Sequence, residues 1–302
     1  MSDLDELAAA LAGVGRAVRD AVLRVGRVEG DADVLRTEGG DEVFGVDARA
    51  DAVVLRELRA VAERWPGRLV MEGFAEPIVL GSGGDGPWTY LVDPFDGTRP
   101  WLAGKRSAWV LLGAGRDART LEDLEVGAAV ELPTARARWA RAVWATNEGG
   151  PPAVEDDDLA EPSAPHRSVA LTPRQTDDLA RAYVTVARFD PGSKARIGAW
   201  EDEVLAGLET YEDPYLCSGG QMLGVAAGED AAVLDPRPLL GARFCAHPYD
   251  LAALVVARAA GVIVEALPPG PLDVPLDPHV DVAWAAYANE SVANELRSRL
   301  PS

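Results

Sequence analysis

The sequence predicts a mixed α/β (α+β) protein in two parts: an antiparallel sheet covered by early helices, then a more regular α/β unit. Three patterns predict it. Two long helical periodicities open the chain, a run of short apolar segments follows without helical crossovers between most of them, and strands then alternate with helices. The 302 residues suffice for one large or two fused domains with a substantial core.

In chain order, Leu4, Leu7, Leu11, Val14, Val18, Val22 and Val25 recur at helical spacing and predict a long amphipathic first helix. Val54, Leu55, Leu58, Val61 and Ala62 repeat the pattern within Asp51–Trp65. Strands are predicted at Arg68–Met71, Trp88–Val92, Ala108–Leu112, Val126–Leu132 and Arg138–Ala145. Residues 147–168 carry prolines, glycines and the run Glu155-Asp156-Asp157-Asp158, which reads as a solvated linker. Strands at Tyr183–Ala187, Ala231–Leu234, Val262–Glu265 and Val282–Tyr287 then alternate with helices near Ile197–Leu208, Ser218–Ala227, Leu251–Ala259 and from Ser291 onward. The division expected is an N-terminal metal-binding part, 1–150, and a C-terminal α/β part, 165–302, with one active site between them.

Charge restricts the function. Formal net charge is −20, from 49 acidic against 29 basic residues, which disfavours a general nucleic-acid or anionic-membrane binder. An anionic substrate then requires a bound cation or a local basic cluster. Arg99, Lys105 and Arg106 form one candidate cluster; Arg188, Lys194 and Arg196, around Asp190-Pro191-Gly192, form another. Cys217 and Cys245 are the only cysteines and read as reduced core thiols of a cytoplasmic protein. The acidic, amphipathic start MSDLDELAAALAG is unlike a signal peptide, and no apolar run is long enough to span a bilayer.

The sharpest local signal is Leu91-Val92-Asp93-Pro94-Phe95-Asp96-Gly97-Thr98. An apolar strand meets two carboxylates spaced by two residues, and proline forces the chain out of the ladder between them. Carboxylates and freed carbonyls at a strand end suit a hard cation such as Mg²⁺. Gly97 permits close backbone approach, following N–H groups can face a phosphate, and the Thr98 hydroxyl can orient a water. Taken alone, the same residues also spell an Asp-Pro turn followed by an Asp-Gly turn. Two further acids weigh against that plainer reading: Glu72 closes the strand before, and Asp250 opens an apolar helix in Tyr249-Asp250-Leu251-Ala252-Ala253.

In their order, Met71-Glu72-Gly73, Asp93 to Thr98 and Tyr249 to Ala253 resemble the motifs of the inositol monophosphatase superfamily, the lithium-sensitive, Mg²⁺-dependent phosphatases. The resemblance implies a layered sandwich with an antiparallel N-terminal sheet, a mixed C-terminal sheet and helices between. It implies that Glu72, Asp93 and the Phe95 carbonyl hold one Mg²⁺ and that Asp93, Asp96 and Asp250 hold a second, with two or three ions per site. Asp47 and Thr98 would orient the attacking water, and the amides of Gly97 and Thr98 would receive phosphate oxygens. Ser218 and Gly219 stand in the substrate-contacting segment, and Asp235 resembles the acid that meets substrate hydroxyls, with Arg243 in the divergent stretch beyond it. The expected activity is hydrolysis of a small phosphorylated metabolite (an inositol phosphate, sugar phosphate or phosphonucleotide) by a homodimer.

Departures from the pattern are Gly73 where a second Glu is usual, Tyr249 for Trp, Leu254 for Gly, and a longer stretch between Asp235 and Asp250. They imply a divergent member with its own substrate. Two rival readings are a weak or inactive relative that binds phosphometabolites as a scaffold, and a haloacid-dehalogenase-type phosphatase. The latter's Asp-x-Asp-Gly-Thr motif brings its carboxylates one residue closer than Asp93 and Asp96.

Overall fold

Helices and sheets alternate in five layers in the computed structural model, which describes residues 2–38, 41–81 and 86–301. The outer layer is α1 (Asp3–Val25) and α2 (Gly45–Ala62). Ser2 starts α1 with a reciprocal cap, its hydroxyl accepting from the Asp5 amide at 3.2 Å while its own amide donates to Asp5 at 2.8 Å. Of the seven residues of the predicted α1 stripe, six are buried, and Val25 in the last turn is exposed. A hairpin, β1 (Val34–Glu38) and β2 (Asp41–Phe44), leads into α2 and was not read from the sequence.

The second layer is an eight-stranded sheet of β3 (Gly67–Met71), β4 (Ile78–Leu80), β5 (Trp88–Asp96), β6 (Ala108–Arg116), β7 (Val126–Leu132), β8 (Trp139–Thr146), β9 (Ala153–Asp158) and β10 (Arg167–Ser168). Its spatial order is β10-β9-β8-β7-β6-β5-β3-β4, antiparallel throughout except for the parallel pair β3–β5. All nine residues of β5 are buried, consistent with a central strand covered on both faces. The sheet therefore continues beyond residue 150: the acidic run Glu155–Asp158 is strand, not linker. Its charges are matched by Arg138, just before β8, by Arg141 on β8, and by Arg16 and Arg19 on α1.

The middle layer is α5 (Ser218–Ala226) and α6 (Leu254–Ala259). A mixed sheet follows, ordered β11 (Val184–Val186), β12 (Ala232–Asp235), β14 (Trp284–Tyr287), β13 (Ile263–Ala266), with β11–β12 parallel and the rest antiparallel. Its far face packs on α4 (Lys194–Val204) and α7 (Glu290–Arg297). One apolar cluster joins α1 and α2 to the large sheet, a second joins both sheets through α5 and α6, and a third lies under α4 and α7. A five-residue helix, α3 (Thr98–Leu102), leaves the end of β5.

Candidate active site

The two carboxylates of the central motif are three residues apart, so in an unbroken strand they would face opposite sides of the sheet. The ladder pairs Asp93 with Leu111 but Asp96 with Trp109, a β-bulge of one extra residue on β5. Pro94, lacking an N–H, sits within it, and the Phe95 amide turns back to donate to Asp93 Oδ1 at 2.8 Å. The bulge brings both carboxylates to one side, where Asp250 joins them; ligand oxygens of Asp93, Asp96 and Asp250 lie within 4.8 Å of one another.

Each acid is fixed by a separate device. Glu72 directly follows β3, whose parallel pairing with β5 ends at Met71–Val92, and its amide donates to the Val92 carbonyl at 3.2 Å, which sets residue 72 beside Asp93. Asp96 Oδ2 accepts the Gly219 amide at 2.7 Å, at the N-terminus of α5, and the Cys217 thiol at 3.1 Å. Asp250 lies in a short 3-10 helix, Pro248–Leu251, and one of its oxygens accepts the His247 amide at 2.7 Å. Gly97 bridges β5 and α3 at φ 95°, in the left-handed region, and an added Cβ would meet Cys217 at 3.1 Å.

Crowding marks this as a site short of positive charge. Burial pushes the Asp93 carboxyl well above its ordinary value, and the neighbouring charges of Glu72, Asp96 and Asp250 push it further. Burial and Asp250 raise Asp96 to about 7, against the bonds from Cys217 and Gly219. Such a convergent set of oxygens fits a hard divalent cation. A second acidic group, Glu155, Asp157 and His166, already carries Arg16 and Arg19 and has no comparable deficit.

Beside the cluster, the Thr98 hydroxyl lies 2.9 Å from Asp47 Oδ1 and 2.8 Å from the Phe95 carbonyl, while Asp47 Oδ2 accepts the Phe44 amide at 2.8 Å. One hydroxyl proton cannot serve both acceptors; the ionised carboxylate is the stronger, which leaves the Phe95 carbonyl available to a cation. Burial raises Asp47 to about 6, against the bonds from Phe44 and Thr98.

Glu72, Asp93, Phe95, Asp96, Gly97, Thr98 and Asp250 line one cavity of about 360 Å³, together with Arg99, Phe189, Ser218, Arg237 and Phe244, while Asp47 lies behind Thr98. Two residues expected to meet substrate do not reach it. Asp235 is fully buried, its oxygens taken by Arg237 Nε at 2.7 Å, Arg237 Nη2 at 2.5 Å and Trp284 Nε1 at 3.1 Å. Arg243 turns outward to Asp190, with its side chain 72% exposed. Gly219 is likewise spent on Asp96, whereas Ser218 faces the cavity. The two basic clusters also disperse: Arg99 reaches the cavity, Arg106 pairs with Asp213, and Arg188 pairs with Glu201 and Glu212. At Gly73, φ is +76° and an added Cβ would meet Arg36 Nη2 at 2.6 Å, so an Arg stands against the position where the motif usually has Glu.

Fold and site together define a layered α/β sandwich with a crowded acidic cluster that could hold a metal ion. No family model matches the chain. An inositol-1-monophosphatase, ImpA, of Mycolicibacterium smegmatis is 30% identical over 244 residues, spanning 80% of this chain and 75% of that protein. The crystal structure of the suppressor protein SuhB from Bartonella henselae superposes with a TM-score of 0.72 at 16% identity, covering 98% of this chain and 99% of that one. Fructose-1,6-bisphosphatase of Leishmania major gives 0.74 at 13% identity, covering 97% and 94%. The chain belongs to the inositol monophosphatase family of phosphatases.

Proposed function

We propose that the chain is a Mg²⁺-dependent phosphomonoesterase acting on a small phosphorylated metabolite. The observation that carries this reading is the β5 bulge, which gathers Asp93 and Asp96 against Asp250 beside the Thr98–Asp47 pair. Glu72, Asp93 and the Phe95 carbonyl would hold one ion, and Asp93, Asp96 and Asp250 another. A divalent cation held there would polarise the phosphoryl oxygens and offset their charge.

The chain's own groups do the positioning. Ionised Asp47 takes the hydrogen of the Thr98 hydroxyl, so the Thr98 oxygen presents lone pairs that accept a hydrogen from a water and aim its free lone pair at phosphorus. At the start of α3 the backbone N–H groups of Gly97 and Thr98 precede the helical ladder and would receive phosphate oxygens. Tight packing around Phe95 and Trp101, whose rings meet edge-on at 5.2 Å, keeps this turn rigid.

We further propose a homodimer in a reducing cytoplasm. The exposed aromatic residues Trp139 and Tyr183, on the rim of a second cleft, favour a partner surface, and Cys217 and Cys245 are both buried free thiols. No described helix is long and apolar enough to cross a membrane. The reading is tested by screening purified protein, with Mg²⁺ or with a chelator, against inositol, sugar and nucleoside phosphates. Phosphate release that needs the metal supports it; binding without release favours the scaffold reading.

A further inference from the structure

The lining of the cavity around the carboxylates has an unusual composition for a site that would hold a polyol. Phe44, Phe189, Pro191, Leu216, Phe244 and Tyr249 all line it. A cyclitol or sugar presents hydroxyls around the whole rim of its ring, and a site that selects one supplies free side-chain acceptors and donors to exchange hydrogen bonds with them, whatever its ring faces stack on. Here the carboxylates outside the metal cluster are engaged elsewhere. Glu42 pairs with Arg99 at 3.2 Å, and Asp235 is sealed beneath Arg237.

Both arginines of the cavity are themselves stacked on rings. The Arg237 guanidinium lies 4.2 Å from the Phe189 centroid, and its donors are directed to Asp235, Ser218 and the Phe244 carbonyl. Arg99 lies 5.6 Å from the Phe44 ring and 5.1 Å from the Phe244 ring. Guanidinium planes and aromatic faces together make a surface on which a flat ring stacks.

The wall is also held in place. Asp190, between Phe189 and Pro191, accepts the Ser193 hydroxyl at 2.6 Å, the Gly192 amide at 3.0 Å, and the Arg243 amide and guanidinium at 3.2 and 3.3 Å. Arg243 directly precedes Phe244, so one carboxylate ties together the two loops that supply Phe189 and Phe244. This gives Arg243 a role as a positioning residue, distant from the substrate. An aromatic wall fixed before binding loses little freedom when a ring stacks on it.

We propose that the site selects phosphate monoesters whose alcohol half carries a flat apolar ring, over phosphates of polyols. This rests on the phosphomonoesterase reading. In the reaction, the ester bond between phosphorus and the alcohol oxygen breaks, and a water oxygen forms the new bond to phosphorus. A proton from the water ends on the leaving alcohol, giving inorganic phosphate and a ring-bearing alcohol with no change of oxidation state.

Benzyl phosphate and glycerol 2-phosphate provide the test, because both release an aliphatic alcohol and differ chiefly in what they offer the wall. With the Mg²⁺-loaded full chain, kcat/KM for benzyl phosphate should exceed that for glycerol 2-phosphate by at least about tenfold. Phe189→Leu and Phe244→Leu, which keep apolar bulk but remove the ring face, should each lower that ratio by about three- to tenfold, through KM for the benzyl ester. Because both substrates are read on one preparation, the ratio is insensitive to any loss of folded protein. Equal or better use of glycerol 2-phosphate or inositol 1-phosphate overturns the proposal and leaves the phosphatase reading intact, as does a ratio that neither Leu variant changes. Failure to release phosphate from any ester with Mg²⁺ overturns the phosphatase reading itself, and this proposal with it.

Discussion

Asp93 sits in the most crowded electrostatic position of the site, buried and facing three other acids. Asp93→Asn should therefore abolish phosphate release while leaving the cation-free protein at least as heat-stable as wild type, since one source of repulsion is removed. Thermal melts in chelator alongside turnover assays check both halves. Thr98→Ala should lower kcat by about 10²-fold with little change in KM, whereas Thr98→Ser, which keeps the hydroxyl, retains most of the rate. Asp235 makes a different prediction: with the carboxylate gone, Arg237 is left as an unpaired buried charge, so Asp235→Ala should cost about 3–5 kcal/mol in urea unfolding. These residues differ in how far the sequence could reveal them. Asp93, Asp96 and Thr98 belong to one short motif whose chemistry is local. The sealing of Asp235 depends on Trp284, 49 residues on, and the stapling of Arg243 depends on Asp190, 53 residues back. No spacing rule connects such partners.

Among elements, β5 and α5 act as a unit. The bulge places Asp96, and the first turn of α5 fixes it through the Gly219 amide. Glycine is required there by a close approach: an added Cβ would meet Leu111 Cδ1 at 2.3 Å and the Asp250 carbonyl at 3.0 Å. Gly219→Ala should push α5 away from both β6 and the Asp250 turn, lowering kcat at least about tenfold and weakening cation affinity; calorimetric Mg²⁺ titration reads the second effect. Most elements were legible because burial imposes a period: α1, β7 and α5 lie within a residue or two of their predicted bounds. Strand β9 was not, because its acids look like solvated loop until Arg16, Arg19, Arg138 and Arg141 fold against them. Charged side chains on a strand near the sheet edge also guard against pairing with another chain. The β1–β2 hairpin escaped notice because Val34 and Leu35 of β1 are exposed and the buried pair Val43 and Phe44 of β2 are adjacent, so no strand-like alternation marks it.

For the whole molecule, the raised carboxyls couple folding to protons and cations. Asp47 titrates at about 6 and Asp51 and Asp96 at about 7 in the folded chain, against an ordinary value of 3.8. Between about pH 4 and 7 the folded state therefore binds more protons than the unfolded chain, and cation-free stability must fall as pH rises through that window. Added Mg²⁺ binds the folded state and should restore Tm most strongly above pH 7. Melting curves across pH, with chelator or with Mg²⁺, test this; a chelated Tm that rises with pH would contradict the charge-crowded site. Asp93, Asp96 and Asp250 are proposed as the metal centre of the phosphatase. The most direct measurement of this assignment is phosphate release by wild type and by Asp93→Asn, each in chelator and then with restored Mg²⁺. The structure predicts no release by either protein in chelator, full recovery of the wild type with Mg²⁺, and none for the Asn variant. Turnover that survives chelation, or an Asn variant as active as wild type, would contradict it.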